Sequence, residues 1–163
     1  MGALLSIPRE PHIALRTLDG AHLEHARRPL LRFIHNHGDG RITRKAREWL
    51  RHVRSEAILR PGQCIVTASS GSQLLGLLLV AGFGEQVMAI VVHKKMRKQK
   101  LGQRLVRHAL HHVRTLKARV AVDNPASIGM CFAAGMVAVA LERGVTGKPT
   151  LIFVANSTNS IHR

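Results

Sequence analysis

An apolar run ends at Val91-Val92-His93, a basic segment follows from Lys94 to Lys100, and apolar helical spacing begins at once at Leu101. No other feature constrains the fold of this chain so tightly. The chain must turn from strand into helix between residues 97 and 102. Such a turn exposes several backbone N–H groups at a helix N-terminus, which carries roughly half a positive charge. Arg97, Lys98 and Lys100 add three fixed cations around it. The site this builds is one for a phosphate or diphosphate. Beyond the loop, Leu101, Leu105, Ala109, Val113 and Leu116 share one helical face, with Arg104, Arg107, His108, His111 and Arg114 elsewhere.

The rest of the chain places this junction inside an α/β arrangement. His12 to Arg16 reads as a first strand, and Thr17 or Asp19 can cap a helix starting near Gly20. The region from Ala21 to Arg60 reads as helix in two pieces, broken at Asn36-His37-Gly38-Asp39-Gly40, with Pro29 near the start of one piece. Arg41 to Leu59 is the long, basic, amphipathic piece. Cys64 to Ala68 and Leu74 to Ala81 form a hairpin across Ser69-Ser70-Gly71-Ser72, and the nearly all-apolar second strand belongs at the centre of a sheet. Val87 to Val92 is the strand before the basic loop. Arg119 to Val122 is another strand. Asn124-Pro125 opens a helix that closes at Gly135. Val137 to Leu141 and Thr150 to Val154 are the last strands, and residues 156–163 read as a frayed tail. At 163 residues, with neither repeat nor linker, residues 1–163 make one domain.

Two motifs carry a resemblance. Val92-His93, Arg97, Lys100 and Gly102 resemble the strand end and Arg-x-x-Gly-x-Gly loop of the GNAT superfamily, the acyl-CoA-dependent N-acyltransferases. Lys100 stands at the first Gly of that pattern and Lys94 at its Pro. Lys100 fits there if its φ stays negative. Asn124, Ser127, Cys131, Gly135 and Met136 resemble the family's second motif, Asn-x-x-Ala/Ser-x-x-x-Tyr-x-x-x-Gly-Phe. The order of elements is also that of the family over nearly the whole chain.

The resemblance implies a mixed central sheet of about six to seven strands, flanked by helices and splayed at an acetyl-CoA cleft. It implies acetyl-CoA as co-substrate and an amine as acceptor, attacked directly in a ternary complex. The pantetheine arm is expected along Ile90, Val91 and Val92. The diphosphate is expected on residues Arg97, Lys98, Gln99, Lys100, Leu101, Gly102 and Gln103. Cys131 falls where many members carry a Tyr that protonates the leaving thiolate; a small buried cysteine on a packed helix is the other reading. Glu85, just before the third core strand, is a candidate base, although the family position falls nearer Gln86. Asn124 serves either the cofactor or simply the helix as its N-cap. The missing Tyr keeps open a catalytically silent module that binds CoA or nucleic acid.

Charge narrows the partners. The chain holds 25 Lys+Arg against 9 Asp+Glu, a formal net charge of +16, which favours polyanions: the cofactor itself, an acidic acceptor or a nucleic-acid-linked amine. A basic nucleic-acid binder with no CoA site is a third reading. Tyr is absent and the aromatics are few, so a stacking platform for single strands is poorly supported. Cys64 and Cys131 form no CxxC pair, and the histidines at 35, 37, 108, 111 and 112 come with no metal-binding spacing, so no metal is expected. Gly144 to Thr150 fails as a Walker loop, and one Gly between 97 and 103 fails as a dinucleotide fingerprint. No signal peptide or membrane span is read, and a reducing cytoplasm fits. Met1-Gly2 with Ser6 formally matches a myristoylation pattern. The oligomeric state is not readable, and a dimer is compatible with everything above.

Overall fold

A computed structural model describes residues 12–157. The myristoylation pattern and positions 158–163 of the expected tail lie outside the described residues. The elements run β1 (Ala14–Thr17), α1 (Gly20–His37), α2 (Arg44–His52), β2 (Cys64–Ser70), β3 (Gln73–Ala81), β4 (Val87–Val92), α3 (Leu101–Val113), β5 (Thr115–Ala121), α4 (Pro125–Ala133), β6 (Val137–Arg143) and β7 (Pro149–Asn156).

The strands divide into two antiparallel sheets, ordered β1-β2-β3-β4 and β5-β7-β6. β3 sits inside the first sheet with Leu75 to Ala81 buried, as its unbroken apolar run requires. Alternate residues of that sheet face two different cores. Cys64, Val66, Ala68, Leu78 and Val80 pack with Leu101, Leu105 and Ala109 of α3. Ile65, Leu77, Leu79 and Val91 pack with Leu23, Phe33 and Ile34 of α1 and Ala46 and Leu50 of α2. Period-two alternation against helices on both faces makes three layers.

β4 and β5 are joined through α3, yet no ladder of hydrogen bonds links them. They are tied at one end only. Gly84, at φ +91°, lies so close to β5 that a Cβ there would collide with the Lys117 carbonyl. Glu85 then bridges to Lys117 (2.9 Å) and Arg119 (2.8 Å). Beyond this pinned end no strand pairing joins β4 to β5, in keeping with the splay that the family resemblance implies.

Several boundaries differ from the sequence reading, each for a tertiary reason. The helix expected over 41–59 ends at His52, with only a short 3-10 turn at Ala57–Leu59 beyond it. Arg27 of α1 donates to the carbonyls of Leu50 (2.5 Å) and Val53 (2.8 Å) and so closes α2 from outside. Pro29 lies well inside α1, on its solvent side, where the hydrogen bond it cannot donate leaves a carbonyl open to water. Leu116 belongs to β5 and not to α3, because Arg114 turns out of the helix at φ +70°. β5 therefore starts four residues earlier than Arg119. Asn156, expected in the frayed tail, pairs with Thr115 as the end of β7.

Removing the Arg27 guanidinium would leave two carbonyls without their donor. Arg27→Ala is expected to lower stability by about 1.5–3 kcal/mol, read as a fall in the denaturant midpoint, with Arg27→Lys recovering part of it.

Candidate active site

β4 aims its free backbone into the splay. His93 N–H bonds to Leu75 O (2.8 Å), and the β3–β4 register runs unbroken through Leu77↔Val91 and Gly76↔Val92. Backbone groups in a strand alternate sides, so those of Val91 and His93 face β3, while those of Ile90 and Val92 face β5. No strand pairs with them there. Of the three residues expected to meet pantetheine, Ile90 and Val92 thus offer an open edge and Val91 does not. An unpaired edge is a template for an extended, amide-bearing ligand.

This edge leads directly to the basic loop. Lys98 (φ +62°) and Lys100 (φ +63°) both adopt left-handed backbone. Lys100 therefore holds, with a side chain attached, a backbone conformation that favours glycine, and the condition of a negative φ is not met. Left-handed residues among ordinary ones turn successive N–H groups to one side and form an anion-binding concavity. Lys100 is the N-cap of α3, and Arg104 N–H makes the first intrahelical bond, to Lys100 O (3.2 Å). The N–H groups of Leu101, Gly102 and Gln103 precede that bond and remain available. The Leu101 side chain is buried in the core and acts only through its backbone. Gln99 braces the loop by donating to Lys95 O (3.2 Å).

Gly102 has a reason of its own. A Cβ there would stand 2.6 Å from Met130 Sδ, so the absent side chain lets α3 and α4 approach. Arg97 is also committed: its guanidinium donates to His37 O (2.6 Å) at the end of α1. Lys94, Lys95, Lys98 and Lys100 are all exposed along the loop.

The proposed acid and base fare differently from the loop. Cys131 is 1% exposed, packed with the α3 core, and burial pushes its thiol up to about 11. Proton transfer from such a thiol to a leaving thiolate of ordinary pKa, about 8.5, is uphill by more than two units. The small buried cysteine is the reading this geometry favours. Glu85 is exposed, but its hydrogen bonds to Arg119 and Lys117 hold it down to about 2. A carboxylate that acidic is a poor proton acceptor at neutral pH. Its place is the pin at the closed end of the splay. Asn124 caps α4: its Oδ1 accepts from Ser127 N–H (3.3 Å) and its Nδ2 donates to Ser127 Oγ (2.9 Å). Both polar atoms are thus engaged, and the N-cap accounts for the residue.

Two groupings escaped the sequence reading. At the open end, Asp123 gathers Lys148 (2.7 Å) from the β6–β7 loop and Arg41 (3.4 Å) from the α1–α2 loop. Beside the basic loop, the rings of His37 and His93 lie 4.0 Å apart between centroids, tilted by 33°. Neither pairing has a local sequence signal, because the partners lie at least 25 residues apart. His108, by contrast, is tied to Thr17 Oγ1 (3.1 Å), away from the loop.

The model of the Acetyltransferase (GNAT) family matches residues 23–136. That span takes in α1, the splayed strand, the basic loop, α3 and α4. The chain belongs to the GNAT acetyltransferase family. Solved structures agree on the fold. A mutant of the spermidine N-acetyltransferase SpeG from Vibrio cholerae superposes with a TM-score of 0.67 at 15% identity, over 94% of this chain and 99% of that one. A GNAT-family protein from Desulfovibrio desulfuricans gives 0.68 at 17% identity, over 89% and 99%. A GNAT acetyltransferase from Streptococcus pneumoniae gives 0.63 at 16% identity, over 89% and 99%. A search of curated proteins found no match. GNAT members use acetyl-CoA as co-substrate, and the loop and open β4 edge of this chain fit its diphosphate and its amide-bearing arm.

The left-handed Lys100 generates a prediction. Lys100→Gly removes the Cβ strain and is expected to raise stability by about 1 kcal/mol, read as a higher denaturant midpoint. A second prediction follows from Glu85. Its folded pKa lies below the ordinary value of 4.5, so its ion pairs stabilise the protein above about pH 4.5, and that contribution is lost as pH falls toward 2. Glu85→Gln should therefore lower the melting temperature at pH 7 and converge with the parent near pH 2.

Proposed function

We propose that this protein is an acetyl-CoA-dependent N-acetyltransferase that transfers the acetyl group directly to a primary amine. The observation that carries the reading is the open β4 edge at Ile90 and Val92, running into a loop with two left-handed lysines at the start of α3. One continuous surface thus suits both an extended amide chain and the diphosphate that ends it.

The acceptor we favour is an amine on an anionic molecule, including one linked to nucleic acid. Arg41 and Lys148 stand at the open end of the splay, half exposed, and Lys94 and Lys95 are exposed at the start of the loop. The Vibrio cholerae neighbours act on spermidine, a polycation. Here Asp19, Glu24, Glu48, Glu56, Glu85 and Asp123 are all engaged with basic side chains, so a polycation would have to compete for them. A positive field also helps the chemistry. It favours the neutral, nucleophilic form of the amine and stabilises the departing thiolate, which lessens the demand on a side-chain acid or base. The reading keeps a cytoplasmic setting, in which the free thiols of Cys64 and Cys131 are at home.

A second reading, a silent CoA-binding module, is favoured by the acidity of Glu85 and the burial of Cys131. Calorimetric titration of nucleic-acid-free protein with acetyl-CoA at physiological salt, followed by release of free CoA with a panel of amines, separates the two. We expect one-to-one binding, faster turnover with anionic amines than with spermidine, and turnover of Cys131→Ala within about twofold of the parent. Binding without turnover on any amine would establish the module. Absence of binding would remove the cofactor site and leave the basic surface as the seat of function.

A further inference from the structure

The neighbouring imidazoles of His37 and His93 do more than fill space. His37 is the last residue of α1, and His93 follows the last residue of β4. His37 Nδ1 accepts from Lys94 N–H (3.3 Å), and His93 Nδ1 accepts from Lys95 N–H (3.1 Å). The first two amides of the cofactor loop are therefore each held by an imidazole nitrogen. Accepting at Nδ1 requires a lone pair there, so any proton on these rings sits on Nε2. The Phe33 ring also lies against His37, at 4.8 Å between centroids. The His37 carbonyl takes the Arg97 guanidinium (2.6 Å), so one residue of α1 grips the loop at two points three residues apart.

We infer that His37 and His93 are positioning residues for the diphosphate loop: as neutral acceptors they hold its first two amides, and through His37 they join the loop to the end of α1. The inference rests on the acetyl-CoA reading for its purpose, while the clamp itself is a matter of loop geometry. Protonating either Nδ1 would replace an accepted hydrogen bond with two opposed donors. The groups facing His37 make this consequential. From β4 and the loop it meets His93, Lys94 and Arg97; on its own helix it meets the neutral Phe33 ring; and Asp39, two residues on, turns its carboxylate to Arg41 N–H (2.9 Å). Burial, then those three cationic or titratable neighbours, lowers the pKa of His37 below its ordinary value. His37 is therefore a neutral acceptor at neutral pH, and its hold on Lys94 N–H is lost as pH falls below about 6.5 and through the lowered value.

The test is the affinity of 3′-dephospho-CoA, whose diphosphate keeps its charge across the range, measured between about pH 7.5 and 5. The parent should bind more weakly as pH falls. His37→Phe keeps an aromatic ring but lacks the acceptor, and should bind about three- to tenfold more weakly at pH 7.5. His37→Asn combined with His93→Asn offers acceptors that do not titrate, and should restore affinity at pH 7.5 and flatten the pH profile. A pH profile of that double variant superimposable on the parent's, or His37→Phe binding as tightly as the parent, would overturn the inference. Tryptic cleavage within Lys94–Lys100, in protein without cofactor at pH 7.5, decides the matter separately. It should be several-fold faster in His37→Phe, and equal rates would sink the clamp even if CoA bound. If the parent bound no CoA, the cofactor reading alone would fail, and the cleavage rates would still decide for or against the clamp.

Discussion

The architecture of this protein turns on two neighbouring strands that do not pair. A backbone edge left open inside a fold is normally a liability, because each unpaired N–H and C=O seeks a partner. Here the opening is enforced by covalent and steric means at its base. α3 connects β4 to β5 from one side, and the Gly84 turn wedges against Lys117 from below. The Glu85 ion pairs then keep the two strands from sliding apart altogether. Beyond that fixed base no strand pairing joins β4 to β5.

The two cores explain why so open a feature is tolerated. The four-stranded sheet is covered by α3 on one face and by α1 and α2 on the other, and its inner strand is buried throughout. That scaffold supports the loop without needing the β4–β5 ladder. The loop itself carries local strain at Lys98 and Lys100, the kind of conformation that persists where surrounding structure over-determines it. Gln99, Arg97 and the two imidazoles supply that determination by tying the loop to its own backbone and to the end of α1. The end of α1 and the basic loop are thereby joined at one residue, His37.

Much of this was legible in the chain. The abrupt change of hydrophobic period at residues 92–101 located the loop, because a period-two run and a 3.6-residue run cannot share a backbone conformation. Asn124-Pro125 located α4 for an equally local reason, and the cap is present as expected. The features that local reading left open or misplaced were those in which a distant residue decides. α2 stops at His52 because Arg27 reaches its carbonyls. Glu85 was a candidate base by its position along the chain, yet β5 lays two cations beside it. Cys131 matched the position of a proton donor, yet its side chain is packed in the core.

The sequence by itself determined the order of elements and the place of the basic loop, since both follow from periodicity, capping residues and charge, which act over a few neighbouring positions. Tertiary structure alone decided the cations beside Glu85 and the burial of Cys131, the open backbone at Ile90 and Val92, and the meeting of His37 with His93. Each of those depends on which surfaces are brought within a few ångströms by packing, and hydrogen bonding and desolvation act only at that range.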